Sequence, residues 1–242
     1  GNTFTPITES KEAFFAKAKK IRRANVMRRE PVQGSSQAIF PHTGSPKALV
    51  ILAEYQDKKF SIKDPKRSFN QYLNKEEGKQ EEFGYRESKN YGSVRQYFSE
   101  MSNGQFTPQF DIVGPVTLPE DMTYYGGTSS KGNDERTAQM VVDACELVKD
   151  SVDFSLYDSN NDGYVDLVYV IYAGYGQSMG AANNTVWPQA TYVRSQAEYN
   201  GKKIYRAGVN NELIGNENTF NGEPAITGLG LFIHEFSHCL GL

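Results

Sequence analysis

The last nine residues of the chain contain a motif with the spacing of a metal-binding helix. His234 and His238 are four residues apart with Glu235 between them, which gives the pattern H-E-x-x-H followed by Gly241. On a helix, residues four apart lie on one face, roughly 6 Å apart along the axis. Two imidazoles placed in this way can bind one zinc ion, and Glu235 beside the metal can act as a general base. The motif therefore predicts a zinc site suited to hydrolysis.

An ordinary buried helix is the alternative interpretation of the same residues, because the preceding stretch 225–233 is mostly apolar. Such a helix would have to satisfy two imidazoles and a carboxylate away from water, and unpaired buried polar groups are costly. A zinc ion meets all three needs, which favours the metal site. The remaining histidine of the chain, His42, is either an exposed loop residue or a further ligand that blocks the metal.

A second group of candidate ligands follows an apolar helix in the middle of the chain. Oxygen-bearing residues recur at alternate positions around Gly163 in the D-x-N-x-D-G pattern of a calcium loop: Asp158, Asn160, Asp162, Tyr164 through its carbonyl, and Asp166. The twelfth position is Tyr169 instead of the glutamate of an EF-hand, and a strand follows instead of a helix. The pattern predicts a structural calcium site on a strand scaffold. A polar turn held by its own hydrogen bonds, with no ion, is the alternative.

Hydrophobic periodicity predicts an α/β or α+β layered fold around these motifs. A continuous apolar run at residues 48–53 is typical of a strand covered on both faces, residues 165–172 are predicted as a second buried strand, and residues 203–209 form a weaker third strand. Amphipathic helices are predicted near residues 67–74, over 134–149, and after Ser93, where Ser93 and Gln96 fit a capping box. Residues 105–118 are predicted as a further strand.

Composition limits the classes of function. The 242 residues are 38% hydrophobic and 23% charged, with a net charge of −3. No apolar run reaches the roughly 18 residues that span a bilayer, so no transmembrane segment is expected. Residues 1–30 hold eight Lys or Arg against three Asp or Glu, a local charge of +5 that leaves −8 on the remainder. The acidic remainder argues against a nucleic acid as partner.

The chain divides into two predicted parts. Residues 1–46 comprise a basic amphipathic helix over 9–30 and a linker rich in Gly, Pro and Ser, and residues 47–242 form the folded domain. Cys145 and Cys239 fall on apolar stretches of predicted helices, which indicates buried thiols more than a disulfide.

Several stretches together resemble the immune inhibitor A-type bacterial metallopeptidases. They occur in the order of that family: KALVILAEYQD (47–57), GSVRQYF (92–98), SNGQF (102–106), GPV (114–116), YYG (124–126), DGYVD (162–166) with YAG (172–174), and HEFSHCLGL (234–242). The resemblance covers residues 47–242.

This resemblance implies a zincin fold, a twisted mixed sheet over an active-site helix with a lower subdomain after the helix. It implies a secreted or cell-surface bacterial zinc endopeptidase acting on proteins or peptides, with residues 1–46 as a propeptide remnant. The zinc ligands of the family map onto His234 and His238, and its acid/base maps onto Glu235. We expect a monomer, and the strand near 203–209 is a candidate to pair with an extended peptide substrate.

The family's longer motif, H-E-x-x-H-x-x-G-x-x-D, would place a third zinc ligand two residues beyond Leu242. The sequence is therefore expected to hold the upper subdomain, and a fragment ending there would bind zinc weakly and be inactive. The alternative function is a non-catalytic, calcium-stabilised binding or adhesion module with a vestigial metal site.

Overall fold

The computed structural model describes residues 40–62, 64–78, 80, 90–127 and 134–242. The predicted basic helix over 9–30 and most of the predicted linker lie outside the described residues. The described residues all fall within one compact unit, Gln37–Leu242. None of the helices in the described ranges has the length and apolar character needed to cross a bilayer.

A five-stranded, mostly parallel sheet forms the centre of the domain. Its strands are β1 (Lys47–Glu54), β2 (Gln109–Thr117), β3 (Val168–Tyr175), β4 (Gln189–Tyr192) and β7 (Arg206–Leu213), in the spatial order β2-β1-β3-β7-β4. The neighbours β2-β1-β3-β7 pair in parallel, and β4 pairs antiparallel with β7. A separate hairpin joins β5 (Glu198–Tyr199) to β6 (Lys202–Lys203). The mixed sheet expected from the sequence is confirmed.

Helices cover both faces of this sheet. They are α1 (Pro65–Asn74), α2 (Val94–Met101), α3 (Met122–Tyr125), α4 (Thr137–Val148) and α5 (Leu229–Cys239), with 3₁₀ turns at Phe154–Tyr157, Gln177–Met179 and Thr219–Gly222. One core cluster joins α1, α2 and α5 to one face of the sheet, and a second joins α4 to the other face. The domain is thus a mixed α/β structure of three layers.

Helix ends follow the chemistry of their capping residues. At α1, the Asp64 carboxylate accepts from the Arg67 backbone N–H at 3.0 Å. At α2, the Ser93 hydroxyl accepts from the Gln96 backbone N–H at 3.1 Å. The Gln96 side-chain amide donates to the Glu100 carboxylate, four residues further along the same helix, and this contact supports the first turn. Such caps satisfy N–H groups that have no partner within the helix.

The sequence pattern did not predict the full extent of two strands next to the candidate site. It missed β4, and it ended the third strand at residue 209, although β7 continues to Leu213. Asn210, Asn211 and Glu212 are polar and follow the predicted end of the strand, but they are fully buried. The Glu212 carboxylate accepts from the backbone N–H groups of Ser61 and Gly174 at 2.7 and 2.9 Å, so the strand tolerates its burial.

The placement of β7 overturns one expectation about substrate binding. This strand has a neighbour on each side, β3 and β4, so its backbone is already paired. It therefore has no free edge to pair with a peptide. The prediction that the strand near 203–209 binds an extended substrate is wrong. The sheet edge on this side is β4.

Residues 40–46 pack onto the domain although the sequence assigned them to the linker. Phe40 is fully buried, and its ring lies 5.3 Å from that of Phe236 in an edge-to-face contact. Gly44 forms a parallel bridge with Phe106. The packed domain therefore includes Phe40, seven residues before the predicted boundary at residue 47.

Close packing holds α5 against the sheet. The ring of Tyr169 on β3 stacks on Phe232 of the helix, with ring centroids 4.1 Å apart. The same ring covers Gly208 on the neighbouring strand, where an added Cβ would lie 2.4 Å from a ring carbon. A glycine at this position lets the tyrosine lie flat between sheet and helix.

Candidate active site

Helix α5 presents one buried and one open face. Phe232, Glu235, Phe236 and Cys239 form the stripe that packs against the sheet. The His234 side chain is 64% exposed, whereas that of Glu235 is 9% exposed. The i, i+3, i+4 spacing of the apolar residues fixes this orientation, because it turns one side of the helix to the core. The imidazole of His234 therefore faces outward beside a largely buried carboxylate.

The two imidazoles of the H-E-x-x-H motif lie close together. Their Nε2 atoms are 3.2 Å apart, and the His234 Nε2 is 3.9 Å from the Glu235 Oε1. Zinc binds imidazole nitrogen at about 2.0–2.1 Å with tetrahedral geometry, which separates two ligand nitrogens by about 3.3–3.4 Å. The observed separation matches that spacing closely, so the pair fits one zinc ion.

A backbone contact fixes the tautomer of His238. Its Nδ1 lies 2.9 Å from the carbonyl oxygen of Leu242. A carbonyl oxygen only accepts hydrogen bonds, so Nδ1 donates, and in the neutral ring the lone pair is on Nε2, the atom that faces His234. Metal-binding histidines commonly have such a contact, which orients the ring and raises its basicity.

The carbonyl groups in the last turn of α5 are bound by residues from distant parts of the chain. Arg206, the first residue of β7, donates through Nη1 to the carbonyl oxygens of His238 and Cys239 at 3.1 and 2.7 Å. His42 donates through Nε2 to the carbonyl of Leu240 at 2.8 Å. This contact places the exposed His42 ring at the helix end and outside the group formed by the motif, which agrees with the loop interpretation and not with the alternative of a blocking ligand.

The ring that covers α5 from the sheet side carries no charge. Burial raises the pKa of Tyr169 well above its ordinary value, and the neighbouring Cys239 and Glu235 raise it further. The hydroxyl therefore stays neutral, and Tyr169 adds no charge next to Glu235.

The predicted calcium loop is closed by hydrogen bonds and by a lysine. The Asp158 carboxylate, fully buried, accepts from the backbone N–H groups of Asp162 and Gly163 at 3.1 and 3.0 Å, and from Lys202 Nζ at 2.7 Å. Asp166 accepts from the Ser159 backbone N–H at 3.0 Å. Burial raises the pKa of Asp158, but the hydrogen bonds from the ammonium and the two N–H groups outweigh burial and hold that pKa below its ordinary value.

The rest of the loop is arranged in the same way. Asp162 accepts from the backbone N–H of Tyr164 at 2.9 Å, and the Asn160 side chain accepts from the backbone N–H of Asp162 at 3.1 Å. Among the described residues, His234, Glu235 and His238 are the group in which three His, Cys, Asp or Glu ligand atoms lie within 4.8 Å of one another. The three aspartates of the loop do not form such a group, and calcium binding there stays a prediction.

Sequence reasoning missed the side chains that support the motif. Arg206 and Tyr192 are unremarkable in the sequence, and no local pattern connects them to a helix that begins at Leu229. Cys145 and Cys239 are buried and form no disulfide, as predicted.

Comparison with known proteins agrees with the geometry. The sequence profile described as "Immune inhibitor A peptidase M6, catalytic domain" matches residues 40–242. The chain is also similar to immune inhibitor A of Bacillus thuringiensis subsp. alesti, with 26% identity over 234 residues. That alignment covers 81% of this chain and 32% of the relative, so the chain spans about a third of the relative's length. Because the profile matches most of the chain, including the helix that carries the His-Glu-His group, this chain belongs to the immune inhibitor A peptidase M6 family.

Proposed function

We propose that the full-length protein is a zinc-dependent endopeptidase in which His234 and His238 bind the metal and Glu235 is the general base. The observation that carries the proposal is the 3.2 Å separation of the two Nε2 atoms next to the Glu235 carboxylate. Membership of a peptidase family supports hydrolysis of peptide bonds over other hydrolytic chemistry.

The donor set fits zinc better than a hard cation. Imidazole nitrogen suits zinc, whereas calcium and magnesium prefer oxygen ligands. When bound, zinc lowers the pKa of a coordinated water towards about 7 and polarises a carbonyl group. We expect the third protein ligand in the residues that follow Leu242 in the full-length protein, as the family's longer motif implies.

Glu235 is placed to move protons. Its carboxylate lies 3.9 Å from the His234 Nε2 and is largely buried, so it can reach a water held beside the imidazoles. We assign it two steps: it accepts a proton from the attacking water and then delivers that proton to the leaving amine. The imidazoles hold the reacting centre in place, and the tautomer of His238 keeps a lone pair directed at that centre.

Strand β4 is the candidate substrate-binding edge. It pairs with β7 on one side only and contacts helix α5. An extended peptide can add to such an edge through main-chain hydrogen bonds. Trp187, which precedes the strand, and Tyr192, its last residue, are 49% and 38% exposed and offer apolar surface to the side chains of a substrate.

The remaining expectations belong to the same proposal. We expect a secreted or cell-surface bacterial protein that acts on proteins or peptides as a monomer, with the lower zincin subdomain and an N-terminal propeptide completing it. A calcium ion at the Asp158 loop would be structural. The alternative of a non-catalytic binding module has no supporting contact in the described residues.

Casein or gelatin hydrolysis by the full-length protein tests the proposal. The wild type is expected to cleave and to lose activity with phenanthroline, and His238→Ala is expected to lose both zinc and activity. Glu217→Gln serves as the matched control because Glu217 is an exposed carboxylate on the segment leading to the same helix. A metal-loaded wild type that cleaves neither protein would favour the binding module.

A further inference from the structure

The last turn of helix α5 is bent into a compact C-terminal cap directly after His238. Gly241 adopts φ +86°, its N–H donates to the His238 carbonyl at 3.1 Å, and the Leu242 N–H donates to the Ser237 carbonyl at 3.0 Å. This pair of bonds is the Schellman arrangement, which satisfies carbonyls left over at a helix end. The backbone of His238 therefore lies in the turn where the helix stops.

Arg206 binds that turn from the sheet. One nitrogen, Nη1, donates to the carbonyls of both His238 and Cys239, at 3.1 and 2.7 Å. A guanidinium is permanently charged, and its planar set of donors can bind several carbonyls in one fixed geometry. Its positive charge also interacts favourably with the negative end of the helix dipole.

The same guanidinium contacts the edge of the sheet. Its Nη2 donates to the Tyr192 hydroxyl at 3.3 Å, and the guanidinium carbon lies 5.3 Å from the centre of the Tyr192 ring. Tyr192 and Arg206 are directly paired residues on β4 and β7. Arg206 thus connects β4 to the turn that carries His238.

We infer that Arg206 is a positioning residue for the metal site: it fixes the last turn of α5 so that the His238 imidazole keeps its place relative to His234. The inference rests on the proposed zinc-binding function. It adds that metal affinity depends on a side chain that touches neither the metal nor the substrate. Partners in the surroundings of metal ligands typically change metal affinity by about 10- to 100-fold when they are removed.

Zinc affinity of the full-length protein, measured by competition with a chromophoric chelator, tests the inference. Arg206→Met keeps much of the apolar stem and removes every donor, and we expect it to weaken zinc binding by about 10-fold or more. Arg206→Lys keeps the positive charge but not the planar set of donors, so it should recover part of the zinc affinity that Arg206→Met loses. The spectrum of the cobalt-substituted protein should shift in Arg206→Met, since the His238 ligand moves.

Two further variants separate the contacts. Tyr192→Phe removes only the hydroxyl on the β4 side and should leave zinc affinity unchanged. Arg194 is an exposed arginine two residues after Tyr192, and Arg194→Met is the matched control for Arg206→Met.

The outcomes distinguish this inference from the proposed function. Arg206→Met that binds zinc as tightly as the wild type, with an unchanged cobalt spectrum, would overturn the positioning role, even if the variant melts earlier. Failure of the wild type to bind zinc, or His238→Ala that retains the wild-type affinity, would overturn the proposed function instead.

Discussion

Replacing Lys202 by methionine tests whether a lysine takes the place of a metal ion in the loop around Asp158. The Lys202 ammonium lies 2.7 Å from a carboxylate that is 0% exposed, while the lysine side chain is 21% exposed. Removing one partner of a buried ion pair costs about 3–5 kcal/mol. Asp158 keeps two backbone N–H donors and water can approach from the lysine side, so we expect about 2–3 kcal/mol.

Thermal unfolding measures this loss. About 2–4 °C per kcal/mol in a domain of this size gives an expected fall in Tm of about 4–12 °C for Lys202→Met. Lys203→Met is the matched control, because Lys203 is adjacent on the same hairpin and bonds the loop through its backbone. A Lys202→Met protein that melts within about 1 °C of the wild type would refute the claim that the ion pair stabilises the loop.

Calcium gives the experiment a second measurement. In metal-depleted Lys202→Met, calcium can reach the Asp158 carboxylate, and we expect it to restore part of the lost Tm while magnesium does not. In the wild type the ammonium competes for the same oxygen, so the response to calcium should be smaller. A wild type that calcium stabilises more strongly than the variant would show that the ion binds without displacing Lys202.

The pH dependence of stability follows from the same pair. The folded-state pKa of Asp158 is depressed below its ordinary value, so its stabilisation is fully present above about pH 4, the unfolded pKa. It is lost as the pH falls through the folded pKa. The difference in Tm between the wild type and Lys202→Met should therefore shrink below about pH 4.

Other predictions concern the helix and the core. Glu235→Gln should lower kcat by about 100-fold or more while zinc content stays at the wild-type level; retained turnover would remove Glu235 from the proposed chemistry. Gly208→Ala should cost about 1–3 kcal/mol of unfolding free energy, because its Cβ would collide with the tyrosine ring packed on that glycine. Gly230→Ala, with nothing within 4 Å of the new Cβ, should stabilise α5 by about 0.5–1 kcal/mol; equal effects of the two substitutions would contradict this packing. Alkylation of the native protein should spare Cys145 and Cys239, because both are buried and burial raises the pKa of the Cys145 thiol; rapid native labelling would place them at the surface.

Strands could be predicted where burial and apolar composition coincide. β1 and β3 are buried on both faces and consist almost entirely of apolar residues, so their sequences identify them. The end of β7 is equally buried but reads Asn210-Asn211-Glu212. Its burial depends on N–H groups that other strands and loops supply to Glu212. That condition is set by the tertiary structure, and no window of the sequence contains it.

The His-Glu-His group could be predicted for the opposite reason. Helical spacing alone brings the two imidazoles onto one face, so five consecutive residues define the distance between them. The residues that support the group are far away in sequence: Arg206 is 32 residues from His238, and His42 is 198 residues from Leu240. Arginine and histidine in these positions have no local pattern that indicates a helix end.

The two predicted metal sites differ in which group is bound by a positively charged side chain from elsewhere in the chain. At the Asp158 loop, Lys202 from a hairpin 44 residues away contacts one oxygen of the carboxylate itself. At helix α5, Arg206 binds backbone carbonyls and leaves the imidazole nitrogens directed at each other, 3.2 Å apart. The helix motif thus keeps its two imidazoles together, whereas the loop motif, which also lacks the EF-hand glutamate at its twelfth position, has a lysine bound to its central carboxylate.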